Sequence, residues 1–171
     1  MSSPRFEVQH SILGIDPGKD GGAVLLTPSK CLVFPWEPNW SALFDAVSLY
    51  DPVCFIEKVS ASGQMGVKSA FSFGGNFYAW GVVLKIFEIP TVQVMPAEWQ
   101  VSLGLSKGIS YAERKTLLYK ASSVRFEKHT KRMADAFLIA DYGHSNYGQF
   151  FNDSEPGYAR NQKRVSVGFS P

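Results

Sequence analysis

The chain has 171 residues, 45% of them hydrophobic and 14% aromatic, with a formal net charge of +2. That length and apolar content suit one domain with a substantial core. No apolar run approaches the roughly 20 residues of a membrane span, and Cys31 and Cys54 are too few and too isolated for a disulfide framework or a zinc site.

MSSPRFEVQH lacks the apolar centre of a signal peptide, so an intracellular setting (cytoplasm or nucleoid) is expected. SILGIDP (11–17) reads as an apolar strand that stops at Asp16-Pro17-Gly18, and GKDGG is turn chemistry. GAVLLT (22–27) and CLVFP (31–35) predict two more strands, joined by a tight turn at Pro28-Ser29 into a three-stranded meander. Trp40, Leu43, Phe44, Val47 and Leu49 have helical spacing over 40–50. VCFIE (53–57) is a short buried strand that, like the first, ends on a carboxylate.

From 60 to 76 the composition shifts to Ser, Gly, Gln, Lys, Phe and Asn, which predicts a functional loop; a helix follows over roughly 75–88. TVQVMP (91–96) predicts a strand, with Pro96-Ala97-Glu98-Trp99 starting a short helix. A helix over 110–123 has Ser110 as N-cap. Another over 132–143 is closed by Gly143. The expected organisation is a domain over 1–143 and a C-terminal extension over 144–171. A meander followed by alternating helices and strands implies an α/β fold with a mixed sheet flanked by helices. Parallel strand ends in such a sheet collect functional residues on one edge.

Charge is unevenly placed. Residues 1–106 carry a net −3 and residues 133–171 a net −1, whereas 107–132 hold eight basic and two acidic residues. A basic block beside an acidic remainder suits a polyanion surface, or a solvated helix face. Three carboxylates stand where the architecture can gather them: Asp16 and Glu57 at strand ends, Asp135 in the first turns of the last helix. Read singly, Asp16 is a turn residue, Glu57 an ion-pair partner of Lys58, and Asp135 a helix-start acid that favours the dipole. Read together, they would repel one another unless a cation neutralised them. Mg²⁺ takes oxygen ligands and keeps positions open for phosphate and water. Such ions support phosphodiester hydrolysis.

GIDPG (14–18) followed by GGAVLL resembles the opening of RuvC-type Holliday junction resolvases, members of the ribonuclease H-like superfamily. FIEK (55–58) resembles their second acidic strand, and ADAFLIADYG (134–143) their final helix. SFGGNFYAWGVVL (72–84) and VMPAEWQ (94–100) look like the phage and chloroplast branch. The resemblance covers roughly residues 11–143. It implies a ribonuclease H-like five-stranded mixed sheet, a homodimer, and Mg²⁺- or Mn²⁺-dependent cleavage of four-way DNA junctions. Asp16, Glu57 and Asp135 would then be metal ligands, with Lys107 or Lys115 near the scissile phosphate.

The sequence departs from that family at one point. A fourth ligand, Asp or His, is expected three or four residues before the last carboxylate, where this chain has Arg132 and Lys131. Asp141, six residues on, is expected to point elsewhere, and Asp20 or His129 would have to reach in from loops. The departure keeps a second reading open, a junction binder that does not cut. An actin-like phosphotransferase is a third, but that fold needs two such domains.

Gln64, Lys68, Phe71, Phe73 and Asn76 fall where the resembled family approaches the junction centre. Aromatic faces stack on bases in a sequence-tolerant way, and amides read base edges. The basic block adds Arg114, Lys115, Lys131 and Arg132 as expected DNA contacts. Phe77, Trp80, Val83 and Leu84 share a helical face and are expected in the core or a dimer interface. In the tail, Arg160, Lys163 and Arg164 read as a solvated group or an extension of the DNA surface.

Overall fold

The structure is a computed structural model that describes residues 10–36, 38–58, 66–105, 108–126 and 130–151. Its elements in chain order are β1 (Ile12–Asp16), β2 (Gly22–Leu26), β3 (Cys31–Pro35), α1 (Trp40–Tyr50), β4 (Val53–Glu57), α2 (Val67–Ile86), β5 (Thr91–Val94), α3 (Pro96–Val101), α4 (Tyr111–Arg125) and α5 (Ala134–Phe150). The strands form one five-stranded sheet in the order β3-β2-β1-β4-β5. The β1–β2–β3 meander is antiparallel, and β1, β4 and β5 run parallel. The expected mixed five-stranded sheet flanked by helices is therefore present.

Strand parity divides the core into two layers, because alternate side chains point to opposite faces. Leu13, Ile15, Ala23, Leu25, Cys54 and Ile56 bury one face with Leu43 and Val47 of α1 and Trp80 and Leu84 of α2. Ile12, Val24, Leu26 and Phe55 bury the other with Trp99 of α3, Leu118 of α4 and a run of α5 from Ala136 to Ala140. Helix α5 lies directly on β1. A Cβ at Gly14 would come within 2.4 Å of the Ala140 backbone nitrogen and 2.6 Å of the Ala136 carbonyl, so only glycine allows this approach.

Ser110 caps α4 as expected, by accepting from the Glu113 amide at 3.2 Å. The start of α1 is set by Asn39, which accepts from the Ala42 amide at 3.2 Å and was not among the expected caps. Within α1, however, Leu49 is exposed, and Leu43, Ala46 and Val47 form the buried stripe.

Two further expectations fail. The segment before residue 75 is not all loop, since α2 starts at Val67 and carries Lys68, Phe71, Phe73 and Asn76. Trp80, Gly81 and Leu84 anchor its second half. Extending an existing helix costs little compared with nucleating one, so the first turns tolerate Gly74-Gly75. Nor does the last helix stop at Gly143. It continues to Phe150, because Gly143 is buried against Phe55, whose ring would lie 2.4 Å from a Cβ there. Tyr142, Tyr147 and Phe150 then pack against the same core. Among the described residues no helix is long and apolar enough to cross a membrane.

Candidate active site

Parity and register bring two of the three acids together. Asp16 follows Ile12 and Gly14 on the α5 face of β1, and Glu57 follows Phe55 on the same face of β4. Ile15 pairs with Ile56 across the parallel ladder, so the next residue of each strand, Asp16 and Glu57, stands at adjacent strand ends. The start of α5 supplies Asp135, one residue before the Ala136 turn that rests on Gly14.

Asp16 is buried, and its Oδ1 accepts from the Gly18 amide at 2.9 Å. The turn folds over it closely, since a Cβ at Gly21 would lie 2.6 Å from the Asp16 carboxyl carbon. Asp135 is also buried. Its Oδ2 accepts from the Lys115 ammonium of α4, while its Oδ1 is buried with no hydrogen-bond partner. The Lys115 ammonium also lies 5.9 Å from the centre of the Tyr111 ring.

The electrostatics reflect this crowding. Burial, then repulsion from Asp135, pushes the Asp16 carboxyl up to about 6, against the opposing Gly18 amide and Lys115. Burial, then Asp16 and Asp135, pushes Glu57 up to about 8, with Lys115 and the Trp99 indole acting the other way. Burial would lower the Lys115 pKa, but Asp135 and Asp16 outweigh it and the net shift is upward.

The donor set suits a hard divalent cation: three carboxylates, two resisting ionisation and one with an orphaned buried oxygen. As the side chains stand, no three His, Cys, Asp or Glu residues among those described are close enough to hold one ion. The acids line a cleft of about 790 Å³.

A cationic wall surrounds them. Lys19 comes from the β1–β2 turn, Lys68 from α2, Arg114 and Lys115 from α4, and Lys131 and Arg132 from the approach to α5. Arg114 donates to Gln100 Oε1 at 2.5 Å, which fixes one side of the wall. Arg132 donates to the carbonyls of Asp20 (3.2 Å) and Trp36 (2.7 Å), tying the β1–β2 turn to the chain after β3. The position where an acidic ligand was expected therefore holds a cation that braces the cleft.

No protein-family model and no curated protein matches this sequence. Solved structures do. RuvC of T. thermophilus, determined in complex with a Holliday junction substrate, superposes with a TM-score of 0.54 at 17% identity, covering 82% of this chain and 96% of that one. A second Thermus thermophilus RuvC structure gives 0.52 at 16%, covering 81% and 95%. The fold is that of RuvC.

Within this RuvC-like fold the expected site residues separate into groups. Asp16, Glu57, Asp135, Lys68, Phe73, Arg114, Lys115, Lys131 and Arg132 share the cleft, together with Asp20. Phe71 is 84% exposed and, like the half-buried Asn76, is not part of the cleft lining. Asp141 does point elsewhere, to Arg125 Nε at 2.9 Å. Gln64, Lys107, His129 and the tail residues Arg160, Lys163 and Arg164 lie outside the described residues.

Ser69, Ser72, Gln100 and Tyr111 also line the cleft and were not foreseen. Tyr111 was accessible to sequence reasoning, because it lies one helical turn before Lys115. Gln100 was not, because it is brought to the cleft only in three dimensions, where it accepts from Arg114 fourteen residues on.

Proposed function

We propose that this protein is a divalent-metal-dependent, structure-specific endonuclease that hydrolyses phosphodiesters at four-way DNA junctions. The observation that carries the reading is the convergence of Asp16, Glu57 and Asp135 in a cleft walled by lysines and arginines. An acidic floor under a cationic rim suits a phosphodiester held over a metal centre. The RuvC fold supports the choice of a branched-DNA substrate.

Asp16, Glu57 and Asp135 would hold Mg²⁺ or Mn²⁺. A bound ion of this kind would activate a water and stabilise the leaving oxygen. Lys68, Lys115 and Lys131 balance phosphate charge as mobile point charges. Phe73 in the cleft, with Phe71 and Asn76 farther along α2, offers faces and edges to unpaired bases. Gln64 and Lys107 belong to the same reading as base and phosphate contacts. Arg132 supports the wall through its carbonyl bonds.

A homodimer is part of the proposal. Tyr78, Val82 and Ile86 form one exposed stripe along the second half of α2, at four-residue spacing. An apolar stripe of this kind suits a second copy. The setting implied is the DNA-containing interior of a cell.

The test is incubation of the full chain with an end-labelled four-way junction and Mg²⁺ or Mn²⁺. Paired symmetric nicks are expected. Asp16→Asn, Glu57→Gln and Asp135→Asn should each slow cleavage by at least about 100-fold while junction binding persists. The Lys115–Asp135 bond and the basic residues at 131 and 132 favour a second reading, a junction binder that does not cut. Tight binding without nicks in either metal would establish that reading and sink the first.

A further inference from the structure

The oxygens of the cleft are not equivalent. Asp16 Oδ1 is held by the Gly18 amide at 2.9 Å, and Glu57 is half-buried at its strand end. Asp135 is different. One of its oxygens is buried without a partner, and the other is taken by an ammonium from a separate helix. That ammonium sits on a long stem beside the Tyr111 ring, with the side chain one-third exposed to the cleft. It can leave Asp135 by rotating side-chain bonds alone, with no movement of α4 or α5.

We infer that Lys115 is an exchangeable counter-cation for Asp135: a divalent ion displaces its ammonium from Oδ2, and the freed ammonium turns into the cleft to meet a phosphate. The inference rests on the reading of the three acids as cation ligands. It accounts for a set of ligands that has the right chemistry without the spacing of a cage. No bond is made or broken other than ion pairs, and with metal and phosphate both bound Asp135 and Lys115 each exchange one partner of opposite charge for another. A phosphate that draws Lys115 away frees Asp135 for the metal, and a metal that frees Lys115 offers a cation to the phosphate. By linkage each ligand must strengthen the other by the same factor. A lysine that only contacted phosphate, or only braced α4 on α5, would produce no such coupling.

The full-length protein tests this in two ways. In the first, nitrogen-15 NMR follows the lysine ammonium groups, with that of Lys115 assigned through its proximity to the Tyr111 ring. Without metal the Lys115 resonance should be protected from water exchange, and saturating Mg²⁺ should shift and broaden it. In the second, calorimetry measures Mg²⁺ affinity with and without inorganic phosphate. Lys115→Met should bind Mg²⁺ about tenfold more tightly than the native chain. Phosphate should tighten Mg²⁺ binding in the native chain and not in the variant. A Lys115 resonance unchanged while Mg²⁺ saturates the acids would overturn the exchange and leave the nuclease reading intact. Phosphate coupling that persists in Lys115→Met would do the same. Absence of Mg²⁺ binding in both proteins would overturn the exchange and the metal reading together.

Discussion

At the scale of single residues, Asp16 and Glu57 set a pH dependence with an unusual sign. Each carboxyl is held above its ordinary range, at about 6 and about 8, first by burial and then by its acidic neighbours. In the unfolded chain both ionise near pH 4, whereas in the folded chain they keep their protons longer. The folded state therefore binds more protons over this window, and its stability falls as pH rises. For Asp16 the fall runs from about pH 4 to 6, and for Glu57 from about 4 to 8, after which the contribution is level. In chelator, urea unfolding should show this decline. Glu57→Gln should stabilise the protein by on the order of 2 kcal/mol at pH 8 and have little effect at pH 4.5. A stability flat or rising between pH 5 and 8 would contradict the clustering. Identifying these acids needed only their place at the ends of apolar strands. That Lys115 bonds to Asp135 was not legible, because the two are twenty residues apart and on different helices.

At the scale of elements, the crossing of α5 over β1 aligns the site. Gly14→Ala would place a methyl carbon within 2.6 Å of two α5 backbone atoms, neither of which can rotate away. A loss of about 3 kcal/mol is expected, read from urea unfolding. Loss of metal binding should accompany it if the helix is pushed off the strand. The strand pattern, the meander and the Ser110 helix cap were legible because each depends on side chains within a few residues. The ends of α2 and α5 were not. Gly74-Gly75 and Gly143 look like helix breakers locally, but packing against Phe55 of the sheet carries α5 through Gly143, and α2 extends through the exposed Gly74-Gly75 from its buried second half. The consequence for function is that Lys68, Phe71, Phe73 and Asn76 ride on a helix with fixed spacing and not on a loop.

At the scale of the whole molecule, the cationic wall and the α2 stripe make separate predictions. Junction binding should weaken steeply with salt, and Lys68→Ala should lower the slope of log affinity against log salt by about 1. An unchanged slope would remove Lys68 from the phosphate surface. The stripe predicts a change of assembly. Val82→Asp with Ile86→Asp should convert a dimer to monomers in sedimentation, with the fold retained because both positions are exposed. A native chain that sediments as a monomer at micromolar concentration would refute the dimer.

The sequence by itself pointed to the mixed α/β class, the elements along the chain and the acids at 16, 57 and 135, because hydrophobic periodicity, a carboxylate ending an apolar strand and a motif at a helix start are local signals. Tertiary structure alone decided what faces those acids. Parallel pairing of β1 with β4 sets Asp16 beside Glu57. The glycine contact of β1 with α5 brings in Asp135. The packing of α4 on α5 delivers Lys115, and Arg132 of the cationic wall also braces two carbonyls. Charge contacts between distant segments depend on distances in space, which spacing along the chain does not encode.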